Sequence, residues 1–151
     1  MKKRNGFTLV ELLAVIVILA IILVIAVPQI INTIRDSKIS SFKSSAMMVA
    51  SAAETQYLTA KLQGKVKTGK PTSAPAEGDF YLGGSAADAQ VDCSGLSWTG
   101  LNSTDYNTCT YYIDTTNGKA HVSLTGKTTG KFKGCTTSDA TKTSATVNDC
   151  Q

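Results

Sequence analysis

Four cysteines are the residues in this 151-residue chain whose chemistry depends most directly on spacing: Cys93, Cys109, Cys135 and Cys150. Four cysteines permit three pairings. We expect the neighbour pairs Cys93–Cys109 and Cys135–Cys150, because each bond would close a short polar segment that has too little apolar surface to hold itself. A zinc site is disfavoured, since no two cysteines have CxxC spacing. The cysteines therefore predict structural disulfides in an oxidising compartment.

No residue pattern typical of catalysis accompanies the cysteines. The single histidine, His121, lies within a predicted strand on its polar side, so we expect a solvated side chain rather than a general base. No Ser/His/Asp grouping or glycine-rich phosphate loop is found. Asp139 and Asp149 could flank a calcium ion, but two carboxylates without a ligand pattern favour a solvated loop. We expect a protein that is not an enzyme and holds no metal or cofactor.

The balance of charge gives little reason to expect nucleic acid as the main partner. The formal net charge is +4, but three basic residues lie within the first four positions, and without them twelve basic side chains face eleven acidic ones. Lys127, Lys131 and Lys133 could form a small basic patch, although lysines on an exposed strand edge more often keep a surface soluble. A nucleic-acid-binding domain would carry a larger positive excess.

The elements that position these residues begin with an apolar segment near the N-terminus. Every residue from 12 to 27 is apolar, and Gln29 is the one polar side chain between positions 12 and 31. About 20 such residues at 1.5 Å each match a hydrocarbon core of roughly 30 Å. Basic residues precede the segment, so the positive-inside rule predicts a cytoplasmic N-terminus. We therefore expect a single membrane-spanning helix over residues 7–30, with the remainder exported.

The same helix is predicted to continue as an amphipathic extension over residues 31–63. Apolar side chains recur there at steps of three to five, and polar side chains fill much of the remaining surface. The helix should end near Gly64, where glycine, proline and serine become frequent. Pro28 removes one backbone hydrogen bond and crowds the carbonyl of Val24, so we expect a kink or local melting there.

The sequence over residues 64–151 predicts a polar head domain built on β-strands. Apolar and polar residues alternate over 109–114 and again over 120–125, and Asn117-Gly118 between them predicts a hairpin with a two-residue type I′ turn. A third strand is expected at 130–135, and residues 80–84 predict a short strand or loop.

These elements together predict an α+β fold. One small antiparallel sheet needs a cover for its apolar face, and the extramembrane half of the long helix is the large apolar surface that the sequence offers. We expect a helical spine, with its first half in the membrane, packed on that sheet, and a C-terminal loop closed by a disulfide.

The N-terminal sequence GFTLVELLAVIVILAIILVIAVPQ resembles the signature of type IV pilins and related pseudopilins. The resemblance lies in a short basic leader ending in Gly6, then Phe7, Thr8, Glu11, an uninterrupted apolar helix and Pro28. It covers roughly the first 35 residues at the level of motif; the rest of the chain is similar only in its expected architecture.

The resemblance implies a processing step. A membrane prepilin peptidase would cut between Gly6 and Phe7 on the cytoplasmic side, remove residues 1–6 as a leader and methylate the new amine of Phe7. Glycine suits such a cut because it lacks a side chain and lets the backbone enter a narrow site. The other implied partners are further pilin subunits and a membrane assembly platform driven by a cytoplasmic ATPase.

Glu11 is the residue for which the resemblance implies the most specific role in assembly, alongside Thr8 and Pro28. It lies about 6 Å along a helix from Phe7, close enough to the interface for its carboxylate to reach water in the membrane-held subunit. In a filament core an unpaired carboxylate is costly. The family supplies its partner as the amine of Phe7, on a neighbouring subunit or on the same chain.

The resulting expectation is a structural pilin subunit. It would be stored as a single-pass protein of the cytoplasmic membrane and then polymerised through its N-terminal helix into an extracellular filament. A pseudopilin of a type II secretion or DNA-uptake system shares the whole signature and is the nearest alternative. A membrane-anchored extracellular binding domain that never polymerises is a weaker one, because it leaves Gly6, Phe7 and Glu11 as coincidences.

Overall fold

The computed structural model describes residues 7–73, 76–148 and 150, and in that part of the chain it contains one long α-helix and six strands. Contacts divide the chain into a unit that ends at Asp36 and a unit that begins at Ser37. The elements are α1 (Leu9–Leu62), β1 (Val66–Lys67), β2 (Phe80–Tyr81), β3 (Val91–Asp92), a 3₁₀ turn (Ser97–Thr99), β4 (Tyr106–Ile113), β5 (Ala120–Gly126) and β6 (Thr136–Ala140).

The first unit consists of the start of α1 and leaves its apolar side chains uncovered. Ile16 and Leu23, which lie well inside the apolar run, are each 57% exposed. Within the part of the chain that the structure describes, α1 is the one helix long and apolar enough to cross a membrane. Apolar side chains on every side of a helix need lipid or other protein chains as their cover.

The helix continues without a break through Pro28. Of the two expected effects, a kink or local melting, the melting is therefore wrong: proline removes a single N–H, and the backbone hydrogen bonds on either side keep the neighbouring residues helical. The kink stays a prediction. The following turn has an additional contact, in which the Thr33 hydroxyl donates to the carbonyl oxygen of Gln29 at 3.0 Å.

The C-terminus of α1 lies where the sequence predicts it. Gly64 has φ 67°, a left-handed conformation that glycine adopts without steric cost. The Lys65 N–H donates to the carbonyl of Ala60, and the Gly64 N–H donates to that of Lys61. This pair of bonds forms a Schellman motif, which satisfies carbonyl groups left free at the helix end.

The main sheet of the second unit is antiparallel, with the strand order β3-β4-β5-β6. A separate pair, β1 and β2, is parallel and places Val66 opposite Phe80. In β4 and β5 alternate residues are buried, as the sequence predicts, and Tyr111 faces Val122 across the hairpin. The predicted hairpin is thus confirmed over both strands.

The second half of α1 packs on this sheet through a stripe of mostly small side chains, which confirms the predicted α+β architecture. Phe42 lies in the stripe near its start, stacked 5.7 Å from Tyr106 and edge-on at 5.3 Å to Phe132. Spacings of three and four residues keep the stripe on one side of the helix. Its buried members are Phe42, Ala46, Val49, Ala50, Ala53, Tyr57 and Ala60.

The predicted two-residue type I′ turn in the hairpin is wrong. Gly118 has φ 70°, but Asn117 does not adopt the positive φ that this turn also requires. The loop instead contains the four residues between Asp114 and Lys119. The Asp114 N–H donates to the Lys119 carbonyl at 2.9 Å and closes this loop. The Asp114 carboxylate accepts bonds from the backbone and hydroxyl of Thr116, and these bonds stabilise the longer turn. They also lower the pKa of Asp114.

The third strand was expected at 130–135 but lies at Thr136–Ala140. Phe132, which lies within the expected strand, is buried in a turn, and its carbonyl accepts from the Cys135 N–H at 3.0 Å. The strand itself is polar. Its alternation is interrupted by an irregular register opposite Val122 and Leu124, where Asp139 has φ 60°.

Two disulfides lie in the second unit. One joins Cys93 to Cys109 and thereby links β4 to the chain just after β3. The other joins Cys135 to Cys150, which confirms the expected closure of the C-terminal region by a disulfide. Each closes a loop of about 16 residues, worth roughly 3 kcal/mol in the chain-entropy model.

Gly126 supplies a stability test of this packing. A Cβ at this position would overlap the backbone carbonyl of Phe132. We expect Gly126→Ala to lower the free energy of unfolding by about 3 kcal/mol, because backbone cannot move aside as a flexible side chain would. Denaturant unfolding followed by tryptophan fluorescence measures the loss. Gly95→Ala is the matched control, since no atom lies within 4 Å of its Cβ position; equal stability of the two variants would contradict the prediction.

Candidate functional site

The start of α1 brings together Thr8 and Glu11, two of the residues singled out in the sequence. The Thr8 backbone N–H donates to Glu11 Oε2 at 2.8 Å, and the Thr8 hydroxyl donates to the same oxygen at 2.8 Å. In return the Glu11 N–H donates to Thr8 Oγ1 at 3.3 Å. These reciprocal bonds form a capping box, in which an N-terminal Thr and a Glu three residues later satisfy each other's backbone donors.

The capping box was not among the sequence expectations, although its signal was present. Thr-x-x-Glu directly before an apolar run is a recognised helix start. The partner expected for the Glu11 carboxylate was the Phe7 amine, on a neighbouring subunit or on the same chain, and Thr8 was not considered. The structure therefore assigns Glu11 a first, intramolecular task, which is to begin the helix.

The geometry directs the Glu11 carboxylate back toward the N-terminus. Both Thr8 donors bond Oε2, whereas a carboxylate can accept about four hydrogen bonds on its two oxygens. The position also suits a negative charge, because the N-terminal end of a helix carries the positive end of its dipole. Glu11 thus retains the capacity to bind a further donor near residue 7.

Phe7 directly precedes the capping box and is 79% exposed. Gly6 and the rest of the expected leader, residues 1–6, lie outside the described residues. Pro28 is not brought near Glu11, since it lies 17 positions later in the same helix, about 26 Å along the axis. The first unit therefore places Phe7, Thr8 and Glu11 at one end of an exposed apolar helix.

His121 has a different environment from the one expected. Its side chain is 17% exposed, so it is partly covered by its neighbours rather than fully solvated. The imidazole stacks on Tyr112 with ring centres 4.7 Å apart, and Nδ1 lies 2.5 Å from Asp139 Oδ1. Burial raises the pKa of Tyr112, and the Asp139 carboxylate adds to that effect.

Metal and anion sites find little support in the described part of the chain. Asp149, one of the two carboxylates considered for calcium, lies outside the described residues, and Asp139 contacts His121. Among the described residues no group of three or more His, Cys, Asp or Glu side chains could hold a metal ion. Of the lysines considered as a patch, Lys127 donates to the backbone carbonyl of Ser103, and Lys131 lies over the Phe132 ring.

Comparisons with known proteins bear on the N-terminal site. A family model described as the prokaryotic N-terminal methylation motif matches residues 1–27, a segment that includes Gly6, Phe7, Thr8 and Glu11. The chain is also similar to the type IV major fimbrial protein FimA of Dichelobacter nodosus, with 34% identity over 94 residues. The aligned region is 62% of this chain and 60% of that relative's length. No solved structure matches the chain significantly.

The capping box makes a prediction about the order of the helix start. Thr8→Val keeps the side-chain shape but removes the hydroxyl that bonds Glu11 twice, so we expect a loss of about 1 kcal/mol of local stability. This corresponds to roughly fivefold faster hydrogen exchange at the Glu11 amide, measured by NMR on the full chain in micelles. Thr8→Ser, which keeps the hydroxyl, should retain the protection. Equal exchange in Thr8→Val and the unchanged chain would contradict the role.

Proposed function

We propose that the chain is a structural subunit of an extracellular type IV pilus, because it matches the prokaryotic N-terminal methylation motif over residues 1–27 and is similar to a type IV major fimbrial protein. The observation that carries the proposal is the pairing of this motif with a helix whose apolar side chains are exposed from Phe7 to Ile34. Such a helix needs lipid before assembly and neighbouring helices afterwards.

We infer that the subunit matures by one cut. A prepilin peptidase would cleave the Gly6–Phe7 bond, remove residues 1–6 and methylate the amine that the cut creates on Phe7. The exposed position of Phe7 supports this step, because the enzyme needs access to the bond before it. The helix would stay with the mature protein and hold it in the cytoplasmic membrane until assembly.

Polymerisation through α1 would draw on packing more than on the hydrophobic effect. A helix that leaves lipid for a filament core exchanges one apolar environment for another, so burial alone gives little net gain at that step. Once the filament is in water, the same burial opposes dissociation, at about 1.5–3 kcal/mol for each large apolar side chain. Apolar burial is nondirectional, so it does not determine at which position along the filament an incoming subunit binds. A polar contact would supply that selectivity.

Glu11 is the residue proposed to supply that contact. Its carboxylate is held at the helix N-terminus by Thr8 and can accept further hydrogen bonds, and the proposed cut would create a cationic amine on Phe7. An incoming subunit would be favoured where this amine and carboxylate meet, because either charge alone is costly in an apolar core. The capping box supports the proposal by orienting the acid.

The subunit would also depend on a membrane assembly platform with a cytoplasmic ATPase, since extraction of an apolar helix from lipid is unfavourable without an energy source. A pseudopilin of a secretion or DNA-uptake system would share the motif and the helix. The similarity to a major fimbrial protein favours the pilin. A filament fraction sheared from cells and dominated by this chain would separate the two, because a pseudopilin would not yield it.

Glu11→Gln tests charge separately from capping. Glutamine also serves in a capping box, so the helix start should persist, while the ionic contact with the Phe7 amine is lost. We expect a cost of about 3 kcal/mol per subunit at assembly and a near absence of filaments by negative-stain microscopy, with leader removal intact. Thr8→Val is the converse control, because it weakens the cap and keeps the charge. Normal filaments from Glu11→Gln would overturn the ionic role.

Gly6→Val tests the cleavage site. The branched side chain should block entry of the backbone into the peptidase, so the chain should accumulate in the membrane with its leader attached. Intact-mass analysis distinguishes this product from one that begins at methylated Phe7. Asn5→Ala, one residue earlier, is the control and should be processed. A chain of mature mass from Gly6→Val would exclude the proposed site.

A further inference from the structure

A cavity of about 650 Å³ opens in the second unit, between the last turns of α1 and the segments that carry β2, β3 and the 3₁₀ turn. This volume lies within the range of small-molecule sites in proteins, roughly 300–1,000 Å³. The cavity shares no residue with the capping box at the start of α1. The proposed role in a filament therefore gives no account of it.

Three aromatic residues from different elements form one wall of the cavity: Phe80, Trp98 and Tyr111. Their ring centres lie 5.4–6.4 Å apart in tilted and edge-on arrangements. Phe80 and Tyr111 are 5% and 2% exposed, whereas Trp98 remains partly exposed. Trp98 is therefore the one ring of these three that keeps substantial exposed surface at the cavity.

Polar residues also line this cavity. Gln56 lines the cavity from α1, Asp79 from the residue before β2, and Asp92 from β3 itself. The Asp92 side chain is ordered by a bond from the Ser94 N–H to its Oδ1 at 2.8 Å. One amide and two carboxylates can together accept several hydrogen bonds and donate two. A ligand that suits them presents many hydroxyl groups.

The charge of the lining selects against anionic ligands. Among the described lining residues Lys70 is the one cation, and Asp79 and Asp92 supply two carboxylates. Nucleotides, sialic acids and uronates would meet a net negative site. A quaternary ammonium group would be favoured by several open ring faces, but here two of the three rings are covered.

We propose that this cavity binds a neutral sugar, with the apolar face of one pyranose ring against Trp98 and its hydroxyl groups bonded to Gln56, Asp79 and Asp92. The C–H groups on one face of a pyranose provide the apolar surface that an indole ring contacts, and the hydroxyls at the ring edge match the polar rim. This binding activity goes beyond the proposed structural role and does not rest on it.

Trp98 is the sole tryptophan of the chain, so its fluorescence reports on this cavity directly. The test uses the full chain, purified in a polyoxyethylene ether detergent, because a glycoside detergent would compete for the site. A glycan array first identifies a neutral ligand, and titration of the free oligosaccharide then follows the Trp98 emission. We expect saturable binding with a shift of that emission.

Gln56→Ala is the test variant, because alanine preserves the helix and removes one amide partner; we expect about tenfold weaker binding. Thr55→Ala, at the neighbouring exposed position, is the matched control and should bind as the unchanged chain does. Trp98→Ala should abolish retention on the array while circular dichroism shows a folded chain.

Three results would overturn the proposal. They are failure of every neutral glycan to bind the folded chain, preferential binding of anionic glycans or choline, and unchanged affinity in both cavity variants. Filament formation is measured separately by microscopy, so loss of sugar binding with normal filaments would remove this proposal and leave the pilus proposal standing.

Discussion

A helix with apolar side chains on all sides over residues 9–31 cannot leave them in water, and much of the remaining structure follows from how α1 is covered. In the first unit the large apolar side chains of the described residues are exposed, and apolar side chains in such number need lipid or other protein chains as their cover. In the second unit the same helix carries a narrow buried stripe, and the sheet covers it. One helix therefore carries exposed apolar side chains in its first part and buried ones in its second, and its sequence changes from uniformly apolar to amphipathic between them.

The small residues of the stripe explain how a short sheet can be sufficient. Ala46, Ala50 and Ala53 are fully buried, which lets sheet side chains reach close to the helix backbone, while Phe42 and Tyr57 fill the larger spaces toward its two ends. The sheet's own strands are few and short, so the two disulfides add constraint where apolar area is limited. Apolar burial and the two disulfides thus both stabilise the second unit.

The sequence predicted the features that depend on composition and period and missed those that depend on single contacts. The end of α1 at Leu62 and the burial of alternate residues in β4 and β5 follow from patterns spread over many positions. β6 was misplaced because its alternation is interrupted at Asp139, and the buried Phe132 lies outside any strand. The environment of His121 depends on Tyr112 and Asp139, which strand pairing brings together from distant positions. Thr8 and Glu11 were each identified from the sequence as candidate assembly residues. Their mutual hydrogen bonds were not predicted, because the only sign of them in the sequence is the short motif Thr-x-x-Glu.

The capping box has a consequence for the timing of maturation. Its donors are the Thr8 amide and hydroxyl and the Glu11 amide, and none of these groups would change chemically if the bond before Phe7 were hydrolysed. The precursor and the product would then share the same helix start, so hydrolysis would add a cation without requiring the chain to refold. A cleaved subunit would then already have the helix start that it needs for assembly, and no slow conformational step would lie between cleavage and assembly.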